Sequence, residues 1–305
     1  MRQVIECVPN FSEGRHRDTV DALAFAVCEV PGVRLVNVSV DPDHHRTVLT
    51  FLGEPGAVAE AAFRCARVAV ERIDLRHHQG VHPRIGAVDV MPFIPLRNVE
   101  MSACAQVARE VGYRIAHELE VPVYFYEHAA LPGRPADLPT IRRGGFERWV
   151  GRSLTGDRAP DAGPSLLHPT AGAVVVGARG PLIAFNINLD TDRVEVAQHI
   201  AGTIRREREH IAQLAGVRAL GLFLASRGIA QVSLNLTQPE QSPLWWIVEY
   251  VRQLAAEQGV QILETELVGV APASAIAGVA AHYLQNPVLN EERILDLWLD
   301  PEWSP

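Results

Sequence analysis

Apolar and polar residues alternate over "RQVIECV" near the N-terminus, the period of a half-buried strand. "PNFSEGR" breaks that pattern. From Arg15 to Val30 the apolar positions Val20, Leu23, Ala24 and Val27 share one helical face, and Pro31-Gly32 ends the run. "VRLVNVSV" and "RTVLTFLG" are β-branched stretches joined by the polar turn "DPDHH", which predicts a hairpin. Pro55 opens a second helix with Val58, Ala62, Cys65 and Val68 on its stripe. "GAVDVMPFIP" reads as a strand whose prolines confine it to an edge or an end. A third helix is predicted from Glu100 to Leu119, then a buried strand over "VPVYFYEH".

Residues 131 to 170 gather Pro, Gly and Asp around one short helical piece, "TIRRGGFERWV", and read as a connector that carries ligand contacts. Regular alternation then resumes. "AVVVGAR" and "LIAFNINL" predict strands, and Asp192 to Glu209 a helix. "RALGLFLAS" and "IAQVSLNL" predict a hairpin around Arg227-Gly228. "PLWWIVEYVRQLAAEQG" is a helix with Pro at its start and Gly at its end, "VQILETELVG" a strand, and two short helices follow. Both halves therefore run β-α-β-β-α-β. The predicted fold class is α+β, with two similar ferredoxin-like βαββαβ-type sandwich subdomains enlarged by extra strands. The expected domains are 1–170, including the connector, and 171–305, with a ligand cleft between them.

The 305 residues are 48% hydrophobic and 21% charged, ample for such cores. A net charge of −8 argues against a general nucleic-acid binder, which needs a basic face. It leaves room for an anionic small ligand held by a few placed arginines. Cys7, Cys28, Cys65 and Cys104 are scattered, without a C-x-x-C, and read as reduced thiols. No apolar leader and no membrane-length apolar stretch is present, so a cytoplasmic protein is expected.

The densest chemistry lies in "RHHQGVHPRIGAVDVMPFIP", Arg76 to Pro95. His77, His78 and His82, with Asp43, His44 and His45, are the residue types of a metal site. However, the His78–His82 spacing serves a metal only on a helix, and Gly80 and Pro83 oppose one. No metal is expected. His77 alone reads as a surface residue. His82 is different. Pro83 stiffens its backbone, Arg84 adds a fixed charge, and Gly86 permits close backbone approach, a combination suited to acid/base work on an anion.

"HQGVHPRIGAVDVMPFIP" closely resembles the signature of the glutamate formiminotransferase (glutamate formimidoyltransferase) family. "ECVPNFSEGR", "DPDHHRTVLTFLG", "VPVYFYEHAA", "IRRGGFE", "DAGPSLLHPTAGAVVVGARGPLIAFNINL", "IAQVSLNLT" and "ELVGVAP" extend the resemblance over almost the whole chain. It implies transfer of a formimino group from N-formimino-L-glutamate to tetrahydrofolate in histidine degradation. It also implies two α/β subdomains with folate between them, usually in a homodimer. The family's catalytic histidine, before Pro-Arg, falls on His82. Its folate-binding segment falls on Gly163, Pro164, Ser165, Leu166, Leu167, His168, Pro169, Thr170, Ala171 and Gly172. In animals a similar module is fused to a cyclodeaminase. This chain looks like the stand-alone transferase, with a separate cyclodeaminase as a candidate partner.

The donor is an amidine. The acceptor nitrogen must lose a proton and the departing glutamate nitrogen must gain one, so a single imidazole near its ordinary pKa can serve both steps. Asp41 or Asp43 is a candidate to stabilise the amidinium. Arg46, Arg84, Arg179 and Arg227 are candidates for the substrate carboxylates, with Arg84 and Arg179 foremost. Asn186 and Asn188 share the polar face of one strand and could face a ligand, face water or satisfy backbone groups. Trp245 and Trp246 lie in an apolar helical run and read as core packing rather than a pterin platform. Competing readings are a metal-dependent amidine hydrolase, related formyl transfer with folate, and a non-catalytic folate-binding protein.

Overall fold

The alternating stretches close into two separate sheets. A computed structural model describes residues 2–298, in two units, Met1–Gly180 and Pro181–Pro305. The first unit runs β1 (Val4–Cys7), β2 (Asn10–Phe11), α1 (Arg17–Cys28), β3 (Val33–Asp41), β4 (Arg46–Gly53), α2 (Pro55–Arg72) and β5 (Val88–Arg97). It continues with α3 (Met101–Glu118), β6 (Val123–Glu127), α4 (Leu138–Arg142), α5 (Gly145–Trp149) and β7 (Val174–Ala178).

β3, β4, β1 and β5 lie side by side and antiparallel, the strand order of a βαββαβ unit. β2 prolongs β1 between β4 and β5. β7 then adds parallel to β5, and β6 parallel to β7. Ile5, Cys7, Phe51, Phe93 and Phe125 are fully buried in one cluster with Leu23, Phe63 and Ala108 of the helices. The alternate positions Glu6, Asn10 and Arg46 therefore fall on the opposite face of the sheet.

The second unit runs β8 (Ile183–Leu189), α6 (Val194–Glu207), β9 (Val217–Leu224), β10 (Ile229–Leu236), α7 (Leu244–Glu257), β11 (Ile262–Val268) and α8 (Ala273–Tyr283). Its sheet order is β11-β8-β10-β9, all antiparallel, the same topology again. Ile187, Leu189, Ile200, Val232, Ile247 and Val251 form its core.

Four expectations need revision. "AVVVGAR" is β7 and completes the first sheet instead of opening the second half, so the first unit reaches Gly180. Extra strands enlarge only the first sheet among the described residues. β5 is internal despite its prolines: Pro92 forfeits a donor, but its carbonyl still accepts the Val8 amide at 3.2 Å. The single helical piece is two, separated at Arg143 and Gly144, where Gly144 adopts a left-handed φ of 97°. Cys7, Cys65 and Cys104 are buried free thiols and Cys28 is an exposed one. Among the described residues, no helix is long and apolar enough to cross a membrane.

Candidate active site

The β3–β4 turn builds one wall. Asp41 Oδ1 accepts the amides of Asp43 and His44, both at 2.8 Å, which folds the turn back on its own aspartate. Asp41 Oδ2 lies 2.6 Å from His44 Nδ1. Burial works to raise this carboxyl, but the His44 hydrogen bonds outweigh it and hold it below its ordinary value. His44 Nε2 is buried with no hydrogen-bond partner. The Asp43 carbonyl takes the Val81 amide at 3.4 Å, which ties the turn to the histidine loop. Gly80 allows that approach: a Cβ there would lie 2.4 Å from the His44 carbonyl oxygen.

His82 stands on this loop, its ring edge-on to His44 with centroids 6.1 Å apart. Its Nδ1 is 3.2 Å from Arg46 Nη1 and 2.9 Å from the Pro83 carbonyl oxygen. A guanidinium only donates and a carbonyl only accepts, so these contacts belong to different tautomers. With the proton on Nδ1, facing Pro83, Nε2 is the basic nitrogen. Arg46 starts β4 and also reaches Asn10 Oδ1 at 3.0 Å and Asp89 Oδ2 at 2.8 Å. Asp89 is wholly out of water at the start of β5. It accepts Arg142 from α4, at 3.2 and 2.5 Å, and the Ile85 amide at 2.9 Å. Burial opposes its ionisation, yet Arg142, Arg46 and that amide hold the carboxyl low. Burial, then the positive charges of Arg46 and Arg142, push the His82 imidazole well below 6.5, with Asp89 opposing. His82 is therefore neutral at neutral pH.

Arg84 has protein partners. It is buried, and its Nε donates to His78 Nδ1 at 2.6 Å. Its Nη2 donates to the His78 carbonyl at 3.0 Å and to Glu147 Oε1 of α5 at 2.7 Å. His78 in turn donates from Nε2 to the His45 carbonyl at 2.9 Å and stacks on the His45 ring at 4.1 Å. Burial, reinforced by Arg84, takes His78 down to about 4. His77 is exposed, as expected of a surface residue.

The segment from Gly163 to Gly172 belongs to the first unit, where β7 follows it. Gly163 to Leu166 are exposed. The rest is laid against the histidine loop by backbone bonds, Ala87 N to Ala171 O at 2.8 Å and Ala173 N to Ile85 O at 3.1 Å. His168 and Gly172 close the turn with reciprocal 2.9 Å bonds. Gly86 is required here: a Cβ on it would lie 1.8 Å from the Ala173 carbonyl oxygen. His82 and the end of this segment are thus tied into one body of loops.

Family models match nearly all of the described chain. The formiminotransferase domain, N-terminal subdomain, matches residues 4–179, and the formiminotransferase domain matches residues 184–299. The chain belongs to the formiminotransferase family. The glutamate formimidoyltransferase of Streptococcus pyogenes serotype M1 is 40% identical over 93% of this chain and 94% of its own length. That of Thermoplasma acidophilum is 40% identical over 96% of each. The formimidoyltransferase-cyclodeaminase of Rattus norvegicus is 42% identical over 97% of this chain, which spans 56% of the rat protein.

The other expected site residues have partners within their own units. Arg179, just beyond β7, donates its amide to the Phe93 carbonyl at 3.1 Å and Nη1 to the Gly180 carbonyl at 2.9 Å. Its charge opposes the burial that raises the Glu6 and Tyr126 pKa values. Asn186 and Asn188 are buried in the second unit. Asn188 Nδ2 reaches Glu266 Oε1 at 2.8 Å and Glu264 Oε1 at 3.2 Å, while Gln231 donates to Asn188 Oδ1 at 2.8 Å. Asn186 Nδ2 meets Glu266 Oε2 at 3.3 Å. Arg227 pairs with Glu264 at 2.5 Å and with Glu266 at 3.4 Å. Trp245 stacks on His282 at 3.8 Å, and Trp246 packs against the second core and on Tyr250.

Asn10, Asp89, Arg142 and Glu147 were not anticipated as site residues. Asp89 did leave a signal, a lone carboxylate inside the apolar run "GAVDVMPF". Arg142 left only its place in the family-like "IRRGGFE".

Proposed function

We propose that this chain transfers the formimino group of N-formimino-L-glutamate to tetrahydrofolate, giving 5-formimino-tetrahydrofolate and L-glutamate, in histidine degradation. Tetrahydrofolate is a co-substrate, and the enzyme works in the cytoplasm as a homodimer. The observation that carries the chemistry is a neutral His82, its Nδ1 beside the Pro83 carbonyl and its pKa pushed down by burial and two arginines.

The acceptor nitrogen attacks the amidine carbon and gives its proton to His82 Nε2. The same imidazolium then protonates the departing glutamate nitrogen, and the ring returns to its starting form. Arg46 keeps Nη2 unbonded among the described residues and is the first candidate for a glutamate carboxylate. The Asp41 and Asp43 turn supplies negative charge for the amidinium. Gly163 to Gly172 receives the folate, with its exposed first half free to close on the ligand and its second half fixed to the His82 loop. Arg179 contributes a further polar contact to the substrates.

The deciding experiment incubates the purified protein with formiminoglutamate, with and without tetrahydrofolate. Consumption that requires folate supports the transferase. Equal consumption without folate identifies an amidine hydrolase instead.

A further inference from the structure

One cluster of ligand-type side chains lies outside this chemistry. Glu13, His16 and His45 bring one ligand atom each to within 4.8 Å of one another. They come from the loop before α1, from the residue that caps α1, and from the β3–β4 turn. Gly14 lets the two segments meet, since a Cβ there would lie 2.2 Å from the Asp41 carbonyl oxygen.

The Glu13 carboxylate is buried and rigid. Its Oε1 accepts the Arg15 amide at 2.8 Å and the His16 amide at 2.9 Å, and its Oε2 lies 3.0 Å from His16 Nδ1. His45 is only 6% exposed. Its Nδ1 lies 3.1 Å from the Gln79 carbonyl, which can only accept, so Nδ1 carries the ring proton. The neutral ring then turns the Nε2 lone pair toward the cluster. That atom is buried, makes no hydrogen bond, and stands 3.3 Å from Glu13 Oε1. With that ring neutral, two acceptors face each other, and a positive centre between them, a second ring proton or a bound cation, satisfies both.

The geometry points to a divalent-cation site formed by Glu13, His16 and His45. A tetrahedral zinc with bonds of about 2.0–2.1 Å separates its ligand atoms by about 3.3 Å. His16 Nδ1 lies 3.0 Å from Glu13 Oε2 and His45 Nε2 lies 3.3 Å from Glu13 Oε1. One ligand atom from each residue falls within 4.8 Å of the others, so small shifts of the exposed His16 ring bring the set to that spacing. Two imidazoles and one carboxylate select a borderline ion such as Zn²⁺, Co²⁺ or Ni²⁺ over Mg²⁺ or Ca²⁺. The Gln79 carbonyl is the outer partner that fixes a metal-bound histidine in the right tautomer. Three protein ligands leave a fourth position to water. The ion clamps the start of α1 to the Asp41–His45 turn, and through the stacked His45 and His78 rings it steadies the His82 loop.

The test titrates Zn²⁺ into the untagged full chain after dialysis against chelator, read by calorimetry and by thermal melting. The wild type should bind one tight equivalent, with a melting temperature that rises with zinc. His16→Ala removes an exposed ring, so the chelated variant should melt like the chelated wild type. It should bind zinc at least roughly tenfold more weakly. His45→Asn should weaken binding in the same way. Identical zinc affinity in wild type and His16→Ala would overturn the site, as would a wild-type melting temperature indifferent to zinc. Mg²⁺ binding as tight as Zn²⁺ would overturn the assigned class of ion.

Discussion

Arg46 Nη1 meets Asp89 Oδ2 at 2.8 Å, and the carboxylate is entirely out of water. Arg142 shares the same oxygen, so one buried charge answers two guanidiniums. Asp89→Asn keeps the shape and removes the charge. Breaking a buried pair from one side costs about 3–5 kcal/mol, because the partner is left uncompensated. Asp89 also raises the His82 pKa, so its loss should make His82 a still weaker base and lower kcat. Urea denaturation and steady-state rates check both effects. A stability loss under about 1 kcal/mol would show that the arginines find water or other partners instead.

His82 is the proton carrier in the proposed reaction. His82→Ala should lower kcat by roughly 10²–10⁴-fold while folate binding barely changes, since the ring acts chiefly in the transition state. The sign of the pH dependence follows from the shift. The folded pKa lies well below 6.5, so the base is already competent at 6.5, and kcat should fall only as pH drops below that value. A pH–rate profile of wild type and variant decides it. A wild-type acid limb centred above 6.5, or one that persists in His82→Ala, would assign that limb to another group.

The loop that carries His82 depends on a backbone approach that only glycine allows. Gly86→Ala places a methyl 1.8 Å from the Ala173 carbonyl oxygen, where the obstacle is main chain and cannot rotate away. Overpacking of this kind costs about 1–3 kcal/mol or more and should separate residues 168–173 from the histidine loop. Gly56→Ala is the control, with nothing within 4 Å of the added carbon. At the start of α2 it should be neutral or stabilise by about 0.4–1 kcal/mol. Melting temperatures that moved alike in the two variants would contradict the packing described at Gly86.

Local patterning made much of this molecule readable. The alternation of Phe185, Ile187 and Leu189 with Asn186 and Asn188 predicts β8 and its two faces, and the hairpins followed from β-branched runs around polar turns. The sheet to which β7 belongs was not readable, because a continuous apolar run looks alike in any buried strand. In the site, His82 stood out through Pro83, Arg84 and Gly86. The pairs that tune it did not: Arg142 and Asp89 meet across |i−j| = 53, and Arg46 and Asp89 across 43. Periodicity carries no information on such closures. Arg84 was expected at a substrate carboxylate. Its guanidinium is engaged by His78, six residues away in a loop without periodicity, and by Glu147, 63 residues away and beyond the reach of any local pattern.

His78 makes the acid stability of the protein a test of that engagement. Arg84 Nε donates to its Nδ1 at 2.6 Å, so this nitrogen must be a lone pair and the proton sits on Nε2, facing the His45 carbonyl. Protonating Nδ1 would break the bond and set two cations in contact. The folded pKa is about 4, whereas an unhindered histidine titrates at 6.5. Between those values the unfolded chain binds a proton that the folded chain refuses, so stability is complete above 6.5 and falls as pH drops toward 4. The loss from His78 reaches at most about 3 kcal/mol, and His82, shifted the same way, adds to the slope in this window. Urea midpoints measured from about pH 7 to about pH 5 should decline in the wild type, above the range where carboxylates titrate. His78→Asn should be less stable at neutral pH and should decline less steeply, by one proton's worth of slope. A slope unchanged in that variant would mean that His78 takes up its proton in the folded state, and that the Arg84 bond does not hold it neutral.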